Sequence, residues 1–166
     1  ELINQLSKNY QIVLSGAPIP QDRELNQSII SLLQPEAAAK VLNLDGDLKL
    51  DQLGTLLRKA QLYIGVDTSV THLAAACDAP TITLFGATPP TNFGPWPNGF
   101  VGKQPYQLRA TIQKVGQVAI IQGPGECVPC RKAGCEDKAD SRSDCLVNLS
   151  VQQVLEAVDL FEIKRI

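Results

Sequence analysis

Leu62-Tyr63-Ile64-Gly65-Val66-Asp67-Thr68-Ser69-Val70-Thr71-His72-Leu73-Ala74-Ala75-Ala76-Cys77-Asp78-Ala79-Pro80 is the stretch on which the reading of this chain turns. It begins as a short apolar run of the kind that forms a buried parallel strand. Asp67-Thr68-Ser69 breaks that run with side chains that suit a helix start. Val70, Leu73, Ala74 and Cys77 then recur at i, i+3, i+4 and i+7, the spacing of one helix face. Pro80 stops the helix, and Thr81-Ile82-Thr83-Leu84-Phe85 reads as a second buried strand before Gly86-Ala87-Thr88. The unit is strand, helix, strand, with polar residues at the carboxyl end of the first strand. In open α/β sheets ligands bind at that edge.

The edge after Val66 suits an anion for two physical reasons. The first-turn amides of a helix have no partners inside it, and the helix dipole places partial positive charge there. Thr68, Ser69 and Thr71 add hydroxyls, His72 adds an imidazole, and Gly86 and Thr88 leave the neighbouring strand toward the same crevice. A phosphate is the natural guest. A plainer role stands beside this one: Asp67, Thr68 and Ser69 cap a helix, as some residue must at every helix start, and His72 is a surface side chain.

The same residues carry a resemblance. Asp67-Thr68-Ser69-Val70-Thr71-His72-Leu73-Ala74-Ala75-Ala76, then Pro80, then Thr83-Leu84-Phe85-Gly86-Ala87-Thr88-Pro89-Pro90, resembles the donor-binding signature of family 9 glycosyltransferases, the heptosyltransferases of lipopolysaccharide core assembly. The usual pattern is Asp-[Ser/Thr]-Gly-x-x-His-Leu-Ala-Ala-Ala with a following strand that ends Phe-Gly-x-Thr. Ser69 stands where Gly is usual, and it adds a side chain close to where the donor diphosphate approaches.

Outward from this stretch, the chain's 166 residues suit one domain with a real core, and 44% hydrophobic content is ordinary for a globular protein. A net charge of −2 and the lack of a basic stretch argue against nucleic acid as a partner. No apolar run approaches the ~18 residues of a membrane span, and nothing resembles a signal peptide. The chain opens at Glu1 and contains no Met, so it reads as a piece of a longer protein.

Leu2, Ile3 and Leu6 suggest the tail of a helix, and Gln11-Ile12-Val13-Leu14-Ser15 a strand turned by Gly16-Ala17-Pro18. Leu25, Ile29, Leu32 and Leu33 repeat at helical spacing up to Pro35. Val41-Leu42-Asn43-Leu44 is a second strand and Asp45-Gly46-Asp47 a turn. Leu50, Leu53, Leu56 and Leu57 mark another helix that closes near Ala60. The order β-α-β-α-β-α-β with short connections argues for an α/β fold, a Rossmann-like doubly wound parallel sheet with helices on both faces. The resemblance covers almost this whole run and implies that residues 1–166 form the C-terminal, nucleotide-sugar-binding half of a two-domain GT-B enzyme. It also implies a carboxylate for the donor ribose shortly after Gly16-Ala17-Pro18, with Asp22 and Glu24 as candidates. Either is equally readable as a solvated charge in a helix's first turn. A carboxylate beside a diphosphate would repel it, so Asp67 bonds sugar hydroxyls of the donor, caps its own helix or holds a magnesium ion; the resemblance implies contact with the donor sugar. The general base belongs to the family's N-terminal half.

Pro89-Pro90-Thr91-Asn92-Phe93-Gly94-Pro95-Trp96-Pro97-Asn98-Gly99 reads as a loop at the rim of a pocket, in which Trp96 either stacks on a ring or pins the loop to the core. Tyr106 to Gln122 has β-like alternation around Val115-Gly116-Gln117, a candidate hairpin. Cys127, Cys130, Cys135 and Cys145 fall in one loop, 126–146, and two readings compete. A Cys-x-x-Cys half-site with two further thiols fits structural zinc, whereas paired or free thiols depend on the redox setting. A similar Cys-x-Pro-Cys…Cys…Cys loop occurs in one branch of the heptosyltransferase-like family. Cys77 lies on the apolar helix face. Ser150-Val151-Gln152-Gln153 has capping-box form and opens a C-terminal helix over 150–163 with Val151, Val154, Leu155, Val158 and Phe161 on one face.

The resemblance implies a sugar transferase in which an ADP-linked donor, with heptose as the sugar, meets a lipid-linked or core oligosaccharide acceptor. Donor contacts fall to Asp67, Thr68, Ser69, His72, Gly86, Thr88 and Asp22. No cofactor is required if helix amides and hydroxyls stabilise the leaving diphosphate. The implied location is cytoplasmic or peripheral on the cytoplasmic face of the inner membrane, and the partner is the acceptor-binding half, without which this half is expected to be inactive. Two other classes stay open: an epimerase-like GT-B domain, and a non-catalytic, zinc-stabilised interaction module.

Overall fold

The computed structural model describes residues 1–138 and 140–164. It divides into two compact units, one made of Glu1–Leu53 with Lys164 and the other of Gly54–Ile163.

In the first unit, helix α1 (Leu2–Leu6) precedes strand β1 (Ile12–Leu14), helices α2 (Pro20–Ser31) and α3 (Pro35–Ala38), and strand β2 (Val41–Asn43). Proline opens both α2 and α3, where its missing N–H is no loss and its fixed φ already suits the helix. Pro35 therefore begins a helix as well as ending the one before. β1 and β2 pair in parallel, Ile12 opposite Val41 and Leu14 opposite Asn43. The expected apolar stripe of α2 is buried only in part: Leu25 and Leu32 are exposed, Ile29 and Leu33 are partly buried, and Asn26 is the buried residue of that helix.

Helix α4 (Leu50–Lys59) crosses the boundary between the units. The second unit then runs through β3 (Tyr63–Val66), α5 (Ser69–Ala76), β4 (Thr81–Phe85), a short α6 (Pro90–Phe93), β5 (Ile112–Val115), β6 (Val118–Gln122), a short α7 (Asp144–Val147) and α8 (Val151–Val158). Its sheet has the order β3-β4-β6-β5. β3, β4 and β6 are parallel, and β5 closes the edge as an antiparallel hairpin on β6. The hairpin is the one the alternation suggests, with Gly116 at φ 56° in its turn. The parallel pairing of β6 with β4 has no local signal in the sequence. The described strands thus fall into two hydrogen-bonded sheets, where the sequence pattern suggests one, but the α/β class and the Rossmann-like, parallel-dominated layout are as expected.

Four of the five residues of β4 and all five of β6 are buried, as befits strands covered on both faces. Ala75 of α5, Phe85, Val118, Ile120 and Tyr106 form one apolar cluster. α5 buries Thr71, Ala74 and Ala75, so its inward face is rotated by about one residue from the predicted one, and Cys77 lies only half-buried. α8 packs on β4 and β6. Its capping box is present: Ser150 Oγ accepts from the Gln153 amide and Gln153 Oε1 from the Ser150 amide. The helix ends at Val158, short of the predicted 163. Phe161 beyond it is buried and takes the Lys114 ammonium over its ring at 4.3 Å.

Tyr106, rather than Trp96, pins the proline-rich loop to the core. Its hydroxyl donates to the Pro95 carbonyl at 2.6 Å, and Pro89, Pro90, Pro95 and Pro97 are fully buried, while Trp96 stays half-exposed in edge contact with Phe100. Burial raises the Tyr106 pKa well above the ordinary tyrosine range. A raised native pKa contributes stability that is complete below the unfolded value and is lost as pH climbs past it. Stability is therefore expected to fall steadily above about pH 10, the ordinary tyrosine value. Denaturant melts between pH 8 and 11 check this, and Tyr106→Phe should flatten that part of the slope.

Candidate functional site

β3, β4 and β6 are parallel, so Asp67, Gly86 and Gly123 leave the sheet at one carboxyl edge. Thr68 is the N-cap of α5 in extended conformation (φ −145°, ψ 169°), and its side chain makes no capping hydrogen bond. Its hydroxyl is thus not spent on the helix, and its carbonyl takes the amides of Thr71 (3.1 Å) and His72 (3.4 Å). The amides of Ser69 and Val70 have no carbonyl to reach within the helix and point outward from its first turn. Thr68, Ser69 and His72 are exposed and Asp67 partly so. Asp67 Oδ1 lies 3.7 Å from His72 Nε2, ion-pair distance though longer than a hydrogen bond. The helix start thus carries a positive end, free hydroxyls and an imidazole steadied by a carboxylate.

The other residues singled out in the sequence have these surroundings. Thr71 is buried, and its hydroxyl donates to the Val66 carbonyl at 2.5 Å, so it has no hydrogen to give an anion. Gly86 is buried: a Cβ built there would fall 2.7 Å from Cys145 Sγ and 3.0 Å from Leu146 Cγ. Its lack of a side chain makes room for α7. Thr88 lies half-buried beyond it, and the Ala87 carbonyl accepts from the Arg131 amide at 2.8 Å. Asp22 belongs to the other unit, where Oδ2 accepts from the Ala17 amide at 2.7 Å and so staples the turn after β1.

The cysteine loop folds onto the ends of β4 and β6. All five cysteines are free thiols, and among the described residues no three His, Cys, Asp or Glu side chains come together to hold a metal ion. Cys135 Sγ accepts from the Asp144 amide at 3.3 Å, and Cys145 is buried against Gly86. Burial pushes the Cys145 thiol up, with the nearby Cys130 and Cys135 adding to the shift. A cleft of about 190 Å³ opens beside Gln122 and Gly123 and holds none of the predicted donor residues. Arg109 lines it and donates from Nη2 to the carbonyls of Glu126 and Val128, which fixes the start of the loop.

Sequence reasoning missed Tyr63 and Gly65. Gly65 sits in the middle of β3, and a Cβ there would collide with the Tyr63 ring and hydroxyl. A glycine inside a strand signals such a close approach.

The model of Glycosyltransferase family 9 (heptosyltransferase) matches residues 1–115. Lipopolysaccharide heptosyltransferase 2 of Salmonella typhimurium is 34% identical over 157 residues, which span 94% of this chain and 38% of that protein. Lipopolysaccharide heptosyltransferase 3 of Escherichia coli is 35% identical over 95 residues, 57% of this chain and 27% of that protein. The chain thus spans well under half the length of these relatives. Among solved structures, E. coli ADP-heptose lps heptosyltransferase II superposes with a TM-score of 0.70 at 24% identity, over 96% of this chain and 38% of that one. On the family match and the shared fold, the chain belongs to glycosyltransferase family 9, the heptosyltransferases.

Proposed function

We propose that this chain is the donor-binding half of a heptosyltransferase that takes a sugar, heptose, from an ADP-linked donor and passes it to an acceptor of the lipopolysaccharide-core type. The observation that carries this reading is the open first turn of α5, where Thr68, Ser69 and His72 stand exposed around unbonded amides at the carboxyl end of β3. The donor diphosphate lies on those amides and hydroxyls, and Asp67 reaches the sugar hydroxyls. In transfer, the acceptor oxygen bonds to the anomeric carbon as the bond from that carbon to the diphosphate oxygen breaks. The electron pair leaves on the diphosphate, where pre-placed donors stabilise it, and the acceptor proton goes to a base in the acceptor-binding half. This division of labour leaves the present chain able to bind nucleotide and unable to transfer sugar. The enzyme then works in the cytoplasm, at the inner face of the membrane that carries its acceptor. Thr88 remains a second hydroxyl for the donor, and Gly86 serves by letting α7 close on the same edge.

A thermal-shift titration with ADP, UDP and GDP tests the reading. ADP should raise the melting temperature and UDP and GDP should not, and Asp67→Ala and His72→Ala should remove the effect. A response to UDP equal to that to ADP would favour the epimerase-like reading, and silence toward all three would overturn donor binding.

A further inference from the structure

We infer that Tyr63 and Thr71 form a partly buried hydroxyl relay that sets the shape of the diphosphate-binding turn, with Thr71 as its positioning residue. This rests on the donor-site reading above. Thr71 has one hydroxyl hydrogen, and that hydrogen goes to the Val66 carbonyl, which can only accept. The contact between Tyr63 Oη and Thr71 Oγ1 at 3.1 Å therefore has one possible direction: the tyrosine donates. The chain runs Tyr63 O–H to Thr71 O–H to Val66 C=O, and every hydrogen in it is assigned. Thr71 also donates its own amide to the Thr68 carbonyl at 3.1 Å. One residue thus ties the last carbonyl of β3 to the N-cap of α5 and clamps Asp67, Thr68 and Ser69 from both sides.

The relay has its own steric provision. The Tyr63 ring lies forward along its strand over Gly65, which only a residue without Cβ permits at that place. Thr71 is 1% exposed, so water does not compete for its hydroxyl. None of these groups touches the anion. They fix where the Ser69 and Val70 amides and the Asp67 carboxylate point, and small errors of placement are costly at a site built on pre-placed donors.

The test compares the affinities of ADP and adenosine, read by calorimetry on the protein and on Thr71→Val, Thr71→Ser and Tyr63→Phe, well below each melting temperature. Thr71→Val should weaken ADP about tenfold and leave adenosine unchanged. Thr71→Ser keeps the hydroxyl and should restore ADP binding. Tyr63→Phe keeps the Thr71–Val66 bond and should give a smaller loss in the same direction. ADP affinity unchanged in Thr71→Val would overturn the relay while leaving the donor site intact. Parallel loss of ADP and adenosine would reduce Thr71 to a general structural role and also overturn it. A parent protein that binds no ADP would overturn the donor reading itself.

Discussion

Gly123→Ala is expected to destabilise the protein by about 3 kcal/mol, the upper end of what overpacking usually costs. A Cβ on Gly123 would fall 2.5 Å from the carbonyl carbon of Cys145 and still closer to its oxygen. Both are backbone atoms, so no rotamer change relieves the clash. Gly123 is itself held, since its amide donates to the Phe85 carbonyl at 2.8 Å. Either α7 lifts from the end of β6 or that bond breaks. Gly54→Ala is the matching control. Gly54 is helical, and a Cβ there meets only Cys77 Sγ, at an ordinary 3.9 Å. Replacing glycine by alanine within a helix should add about 0.5–1 kcal/mol. Urea melts of the two variants should therefore move the midpoint in opposite directions. A midpoint for Gly123→Ala at or above that of the parent would show that the Cys145 backbone imposes no such clash.

Ser69→Asp is expected to separate stability from binding. Residue 69 is the first residue of α5, where a carboxylate complements the helix dipole by roughly 0.3–1 kcal/mol. The nearby Asp67 opposes part of that gain, so the melting temperature should stay level or rise slightly. ADP binding should meanwhile fall at least a hundredfold, because like charges brought together at a binding surface cost several kcal/mol. Ser69→Asn, close in size but neutral, should bind far better than the aspartate. Equal affinity of the two would mean that the anion does not sit on this turn.

Most of the second unit's parallel core is legible in the sequence because its signals are local. The apolar run before Asp67, the Pro80 stop and the Ser150–Gln153 box each depend on residues within one turn of each other, and the structure has β3, α5, β4 and α8 where they predict. What is missed depends on partners far along the chain or on side-chain directions that spacing does not give. Nothing within Val118–Gln122 says that it will lie beside β4, since any buried strand of that composition would look the same. The roles of Gly86 and Gly123 need Cys145, and that of Gly65 needs the Tyr63 rotamer. Thr71 reads as a ligand by its type and spacing, and only the fold shows its hydroxyl directed to the Val66 carbonyl. In the first unit Leu25, Ile29, Leu32 and Leu33 have helical spacing, yet Leu25 and Leu32 are exposed and Ile29 and Leu33 only partly buried, because periodicity locates a helix face without naming what covers it.

The strand order has a consequence for solubility. β4 lies between β3 and β6, yet β6 arrives only after residues 86–117 have been made. The family match ends at residue 115, three residues before β6 begins. A product cut there would keep every matched residue and still leave one whole flank of Thr81–Phe85 without a neighbour. Open amides and carbonyls on an apolar strand recruit whatever strand comes next, including a copy of themselves. Such a truncation should precipitate on expression while the longer chain stays in solution.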